Sequence, residues 1–169
     1  VSGSGPTVAL LCASPEGAIA RGRLTASIAA SLPGATPDAR DFLLKQLSVV
    51  GAAAEVAAIA PFLSDDRSSF LARYALERIP GPAAAAALRG ALEKVTSTMR
   101  IGVVNSLGNL RDREAAGALE PLLAGADEEM AGAAAAALGK IGGRRALKAL
   151  RGALERAQGS RRGRIADAC

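Results

Sequence analysis

Histidine and tryptophan are absent from the 169 residues, and rings of any kind are scarce: three phenylalanines and one tyrosine. Without histidine there is no Ser-His-Asp or Cys-His nucleophile and no His-based metal site, because each needs an imidazole to carry a proton or donate a nitrogen lone pair. The two cysteines, Cys12 and Cys169, lie near opposite ends without framework spacing and make no zinc cluster. No stretch approaches the roughly 20 apolar residues of a membrane-spanning helix. The apolar run 8–13 lacks the basic flank and the length of a secretion signal. Pieces such as GKIGG follow no strand and precede no Gly-Lys-Ser/Thr, so they read as helix ends rather than phosphate loops. No cofactor is expected, and the chain is read as non-catalytic.

What is abundant is small and aliphatic. Half of the residues are apolar, mostly alanine and leucine. Alanine is the best helix former, and strand-favouring side chains are sparse. The profile points to helices with closely approaching backbones. Charge is uneven: 140–169 hold nine basic groups against two acids, a net +7, whereas the first 139 residues carry −2. A basic end of this kind suits a solvated helix face, nucleic acid, an anionic membrane or an acidic protein.

The deciding pattern is an internal repeat. One column reads Ile28, Ile59, Leu88, Leu119, Leu150, at spacings of 31, 29, 31 and 31, and Leu32, Leu63, Leu92, Leu123, Leu154 follow four residues behind it. Between them runs a second family, Leu47, Leu76, Leu107, Leu138, trailed three residues later by Val50, Ile79, Leu110, Ile141. Each unit of about 30 residues therefore holds two amphipathic helices of about 12 residues, with apolar positions at the helical period. Pro33-Gly34, Gly51, Pro80-Gly81, Gly125, Gly142-Gly143 and Gly159 punctuate them as helix ends, and Ser14-Pro15 reads as an N-cap followed by proline in the first turn. Repeats are expected at 15–51, 52–81, 82–112, 113–143 and 144–169, after a flexible segment 1–14. Valine at position 1, and a last second helix ending where its core position falls, read as a piece of a longer polypeptide. The fold expected is an all-α, right-handed solenoid of antiparallel helix pairs.

ALGKIGG (137–143) and SLGNLRD (106–112), each following a PLL- or GAL-type helix, resemble bacterial HEAT repeats of the phycobilisome-lyase-like group across roughly 15–169. ARYALERIPGP (72–82) is similar to segments of large HEAT proteins of environmental bacteria. The resemblance implies a superhelical binding surface whose concave side is lined by second helices. Pro61 and Pro121 match the kinking proline of HEAT first helices, where Gly90 and Gly152 stand in other repeats. Arg40, Arg100 and Arg162 match the family's inter-repeat arginine. Ser69 and Ala131 depart from it, which would break any ladder through Asp65, Asp66 and Asp127.

Several residue groups are weighed for function. Asp65-Asp66 and Asp127 with Glu128-Glu129 fall in turns between helices, where acids offset the macrodipole. The aromatics Phe42, Phe62, Phe70 and Tyr74 are expected mostly as core fillers, with Tyr74 the exception. Positions i, i+4 and i+8 of each second helix share an outward stripe: Asp41, Lys45, Val49; Phe70, Tyr74, Arg78; Ile101, Asn105, Asn109; Gly132, Ala136, Lys140. Tyr and Arg dominate binding hot spots, so Phe70, Tyr74, Arg78, Asn105 and Asn109 form the candidate protein-contact patch. The leading expectation is a protein-interaction scaffold, a monomer or part of a larger chain, with no membrane span. The alternative is a polyanion or nucleic-acid module through Arg144, Arg145, Lys148 and Arg151, although that end lacks aromatics for base stacking. A further alternative is a bilin-lyase-like chaperone or enzyme subunit. The compartment is left open.

Overall fold

The computed structural model describes residues 15–168. Cys12, Cys169, the run 8–13, the segment 1–14 and the Ser14 cap lie outside the described residues. The described chain is helical throughout, with no strand. The elements are α1 (Pro15–Ser31), α2 (Pro37–Val50), α3 (Val56–Ile59), α4 (Ser69–Arg78), α5 (Pro82–Ala91), α6 (Ser97–Asn109), α7 (Ala116–Leu119), α8 (Glu128–Ile141), α9 (Gly143–Arg156) and α10 (Gly159–Ala168). They form consecutive pairs: a first helix, a short turn, and a second helix that packs against the second helices before and after it. Thus α2 lies on α4, α4 on α6, α6 on α8 and α8 on α10. The architecture is an α-solenoid.

Local sequence explains the starts and stops. Pro37 and Pro82 open α2 and α5, where a missing N–H costs no hydrogen bond. Asp127 Oδ1 accepts from the N–H groups of Glu129 and Met130 at 2.9 and 3.1 Å and starts α8. Gly142, at φ 64°, ends it. Gly34, Gly51 and Gly125 differ from expectation. None of them takes the left-handed conformation: Gly51 and Gly125 are extended, at φ −65° and −59°. At Gly51 the reason for glycine is space, because a Cβ would run into the Leu47 carbonyl.

The first segments of the second and fourth pairs are not uniform helices. Around α3 stand 3-10 turns at Ala53–Glu55 and Ala60–Ser64, and around α7 at Arg113–Ala115 and Glu120–Ala124. Pro61 and Pro121 account for the second turn of each set, Ala60–Ser64 and Glu120–Ala124. Each removes one N–H from the i→i−4 ladder and crowds the preceding turn, so the chain tightens into 3-10 geometry. Where Gly90 and Gly152 replace them, α9 runs unbroken through position 152 and α5 through position 90.

The repeat columns are the core. Leu47, Leu76, Leu107 and Leu138 have no solvent exposure, nor do Ile59, Leu88 and Leu119. Ile28 and Leu154, in the first and last described pairs, are only half-buried. Small residues let second helices approach: a Cβ on Gly108 of α6 would lie 2.8 Å from Ala137 Cα of α8, and one on Gly139 would lie 2.6 Å from the Ala168 carbonyl. With the interior filled by leucine and alanine at this spacing, little room remains for rings. Phe42 (60%) and Phe70 (62%) are exposed, Tyr74 is at 37%, and Phe62 is partly covered, which corrects the expectation of aromatic core fillers.

One helix end is strained. Past α6 the N–H of Arg111 bonds the Gly108 carbonyl and the N–H of Asp112 bonds the Leu107 carbonyl, a Schellman closure. It holds Arg111 at φ 51°, the one non-glycine residue with positive φ among those described. One repeat later the same position is Gly142.

Two outcomes follow. Leu107→Ala lowers unfolding free energy by about 2–5 kcal/mol in denaturant melts, the range for a buried leucine; a melt equal to wild type would remove Leu107 from the core. Arg111→Gly raises stability by about 1 kcal/mol, since the left-handed penalty of a Cβ exceeds the added entropy of the unfolded chain; an unchanged or lower melting temperature would show that the Arg111 side chain stabilises the fold.

Candidate protein-binding face

On α4 the core takes Ala72, Ala75 and Leu76, so the i, i+4, i+8 set Phe70, Tyr74 and Arg78 is left outside. The rings of Phe70 and Tyr74 stack with centroids 6.5 Å apart at 17°. Arg78 caps this ledge at one end, its Cζ 4.3 Å from the Tyr74 centroid. Arg73 flanks the other, 5.6 Å from the Phe70 centroid. Exposed cation–π contacts contribute about 0.5–1 kcal/mol each and hold long side chains in one place. The ledge is thus partly ordered before anything binds.

Arg73 was not singled out by the outward stripe. It turns inward from the ledge, its Nη1 donating to the Gly102 carbonyl at 3.2 Å, in the space a Cβ on Gly102 would occupy. Desolvation by burial lowers its pKa, and Glu77 opposes that shift. The signal that could have found it is its place three residues after Phe70, one turn away on the helix.

The asparagines divide. Asn109 is tied into a polar ladder across three second helices. Its Nδ2 donates to Glu77 Oε2 at 3.0 Å, and Lys140 Nζ donates to its Oδ1 at 2.8 Å. Asn105 is exposed and makes no side-chain hydrogen bond among the described residues. The structure therefore joins Phe70, Tyr74 and Arg78 directly and Asn109 through Glu77, while Asn105 stands apart.

The basic end splits as well. Arg144, Lys148 and Arg151 share one exposed face of α9 at i, i+4, i+7, and Arg145 turns away, its guanidinium filling the space beside Gly117. None of the four pairs with a carboxylate among the described residues. The arginines of α10 are less free than the sequence suggests. Arg164 pairs with Glu128 at 2.5 Å, and Arg162 Nη1 donates to the Leu154 carbonyl at 2.9 Å.

Arg40 and Arg162 prove to be equivalent in role. Arg40 Nε donates to the Leu32 carbonyl at 3.4 Å and Nη2 to the Ala35 carbonyl at 3.2 Å, so both arginines close the end of their own first helix. Arg100 does likewise at the Val95 carbonyl, 3.5 Å. Only Arg40 also reaches the next pair, at Asp65, 3.5 Å. Two of the turn acids, Asp65 and Asp127, act as caps. Asp65 Oδ1 accepts from the Ser68 N–H at 2.8 Å and the Arg67 N–H at 3.2 Å. The Ser68 N–H is the main reason its pKa falls below the ordinary 3.8, with Arg40 assisting against the opposing effect of burial.

Residues 96–168 match the family described as HEAT repeats. The match covers the third pair's second helix and both pairs that follow, and it supports a HEAT-repeat protein. The fold is thus a solenoid of HEAT-type helix pairs. No curated protein matches the chain. No helix among the described residues is long and apolar enough to cross a membrane, and no group of acids or cysteines there could hold a metal ion.

The Asp65 shift fixes a pH dependence. A carboxyl whose folded pKa is depressed adds stability that is present above its unfolded pKa and is lost as pH falls through the folded value. Acid titration should therefore show Asp65→Asn losing less stability than wild type as pH drops below 3.8; identical acid profiles would exclude the cap as a titrating support.

Proposed function

We propose that the chain is a non-catalytic scaffold that binds a partner protein on the exposed face of its second helices, the concave face in the HEAT resemblance. HEAT repeats commonly mediate protein–protein contacts, and the observation that carries the reading is the exposed Phe70–Tyr74 ledge capped by Arg78. Contiguous rings in an otherwise ring-poor protein, left outside a core of leucine and alanine, offer the large, low-entropy contact area typical of binding hot spots. Asn105 and Asn109 extend the patch with amide donors and acceptors. The lyase-like chaperone reading gains no separate support from this geometry.

A second reading has one observation of its own. Arg144, Lys148 and Arg151 line one face of α9 without carboxylate partners, an arrangement suited to a polyanion.

One experiment separates the two. Tyr74→Ala with Arg78→Ala should abolish recovery of a purified partner while leaving the helical circular-dichroism spectrum intact. Reversing Arg144, Arg145 and Arg151 to glutamate should weaken binding modestly, and the loss should shrink at high salt as screening takes over. Binding that survives the double alanine change and disappears with the charge reversal would overturn the ledge and favour the polyanion face.

A further inference from the structure

We infer that the partner engages this face through an acidic peptide segment, whose carboxylates are held by Arg78, Arg111 and Arg113. The inference rests on the reading of the ledge as a protein-binding face and specifies what the ledge binds.

Beside the end of α4 lies a groove of about 380 Å³ that crosses two repeat junctions. Its lining is mixed: Ile79, Pro80, Pro82 and Ala85 are apolar, and Arg78, Arg111 and Arg113 line it together with the carboxylates of Glu77 and Asp112. All three arginines are exposed, and none donates a side-chain hydrogen bond or forms an ion pair among the described residues. The carboxylates nearby are largely committed. Asp112 is bound by Arg89, which also pairs with Glu114 at 2.7 Å, and Glu77 accepts from Asn109. Unsatisfied guanidiniums with charged neighbours already paired are the recognition element for carboxylate, which a planar fork can bind in bidentate fashion.

Arg111 provides the second, independent observation. A bulky residue in the left-handed region is an outlier that costs backbone energy. The Schellman closure at this place needs a residue with positive φ, and the next repeat meets that need with Gly142. Arginine relieves no strain here and forms no side-chain hydrogen bond or ion pair among the described residues. What its presence supplies is a guanidinium on the groove rim.

The groove favours a peptide over nucleic acid. Glu77 and Asp112 lie between its arginines, so it offers separate guanidiniums and not the continuous basic track that a phosphate backbone calls for. Discrete carboxylates can avoid the two acids, while apolar side chains of the same segment rest on the prolines and on the Phe70–Tyr74 ledge, which Arg78 joins to the groove.

The test uses the full chain and a random-peptide display library. Selected peptides should be enriched in Asp and Glu. In fluorescence anisotropy, a selected peptide should bind about tenfold more weakly to Arg111→Gly and to Arg113→Gln, the loss expected of one charge-assisted hydrogen bond. Its Asn/Gln counterpart should weaken similarly, and Arg23→Gln, exposed on α1 away from the groove, should bind as wild type. Because Arg111→Gly is expected to melt higher than wild type, lost binding cannot be ascribed to unfolding. Peptides without acidic enrichment that are still lost on Tyr74→Ala would overturn the groove and leave the protein-binding face standing. Wild-type binding by both arginine variants, or displacement by single-stranded oligonucleotide at lower concentration than by the peptide, would overturn the acidic-peptide assignment. Failure to select any peptide would count against groove and face together.

Discussion

Each of the first four pairs depends on a leucine that it cannot bury alone. Leu47, Leu76, Leu107 and Leu138 sit on second helices of 10 to 14 residues, lengths at which an isolated helix in water is marginal. They are removed from solvent because adjacent pairs press together, and the pairs press together because glycine and alanine thin the contact surface at Gly108, Ala137 and Gly139. Stability is therefore a property of neighbours, as in other one-dimensional arrays. The proposed binding face inherits this rigidity, since Tyr74 and Arg78, like Asn105 and Asn109, stand two positions to either side of a buried column leucine on the same helix.

The architecture was readable because it is written in a period. Leucines recurring every 29 to 31 residues place both helices of each pair, and acids or prolines at the turns mark where they begin. The outward stripe on α4 was readable for the same reason: exposure follows from the helical period once the buried column is known. Details that depend on contacts between helices were not. Nothing in the sequence announces that Glu77, Asn109 and Lys140 bond in series, or that Arg73 fills the space over Gly102, because register between helices is a tertiary fact. The rings were misplaced by the general tendency of phenylalanine to be buried, which loses here to a core already filled by leucine and alanine. Arg111 was invisible for a different reason, since a left-handed cap is signalled by glycine or asparagine and arginine gives no sign.

Net charge proves a poor guide to where an anion would bind. Much of the basic excess is spent on structure: Arg40, Arg100 and Arg162 close helix ends, Arg89 bridges two acids, and Arg164 pairs with Glu128. The informative arginines are those that the fold leaves unused. Two groups of them stand out, on the face of α9 and in the groove beside α4, and the second lies within the first 139 residues, whose net charge is negative. Local pairing, not regional sum, decides which cations are available.

The first helices also carry an alternation. Pro61 and Pro121 interrupt the second and fourth pairs, whereas glycine fills that slot in the third and fifth, and LRGAL occurs in identical form at 88–92 and 150–154. In this slot, units two apart resemble each other more than adjacent ones do from the second pair onward. Such a rod does not flex evenly. A helix missing a backbone hydrogen bond yields before its intact neighbour, so compliance is concentrated at every second joint, and a long partner laid along the face would meet alternating stiff and yielding supports.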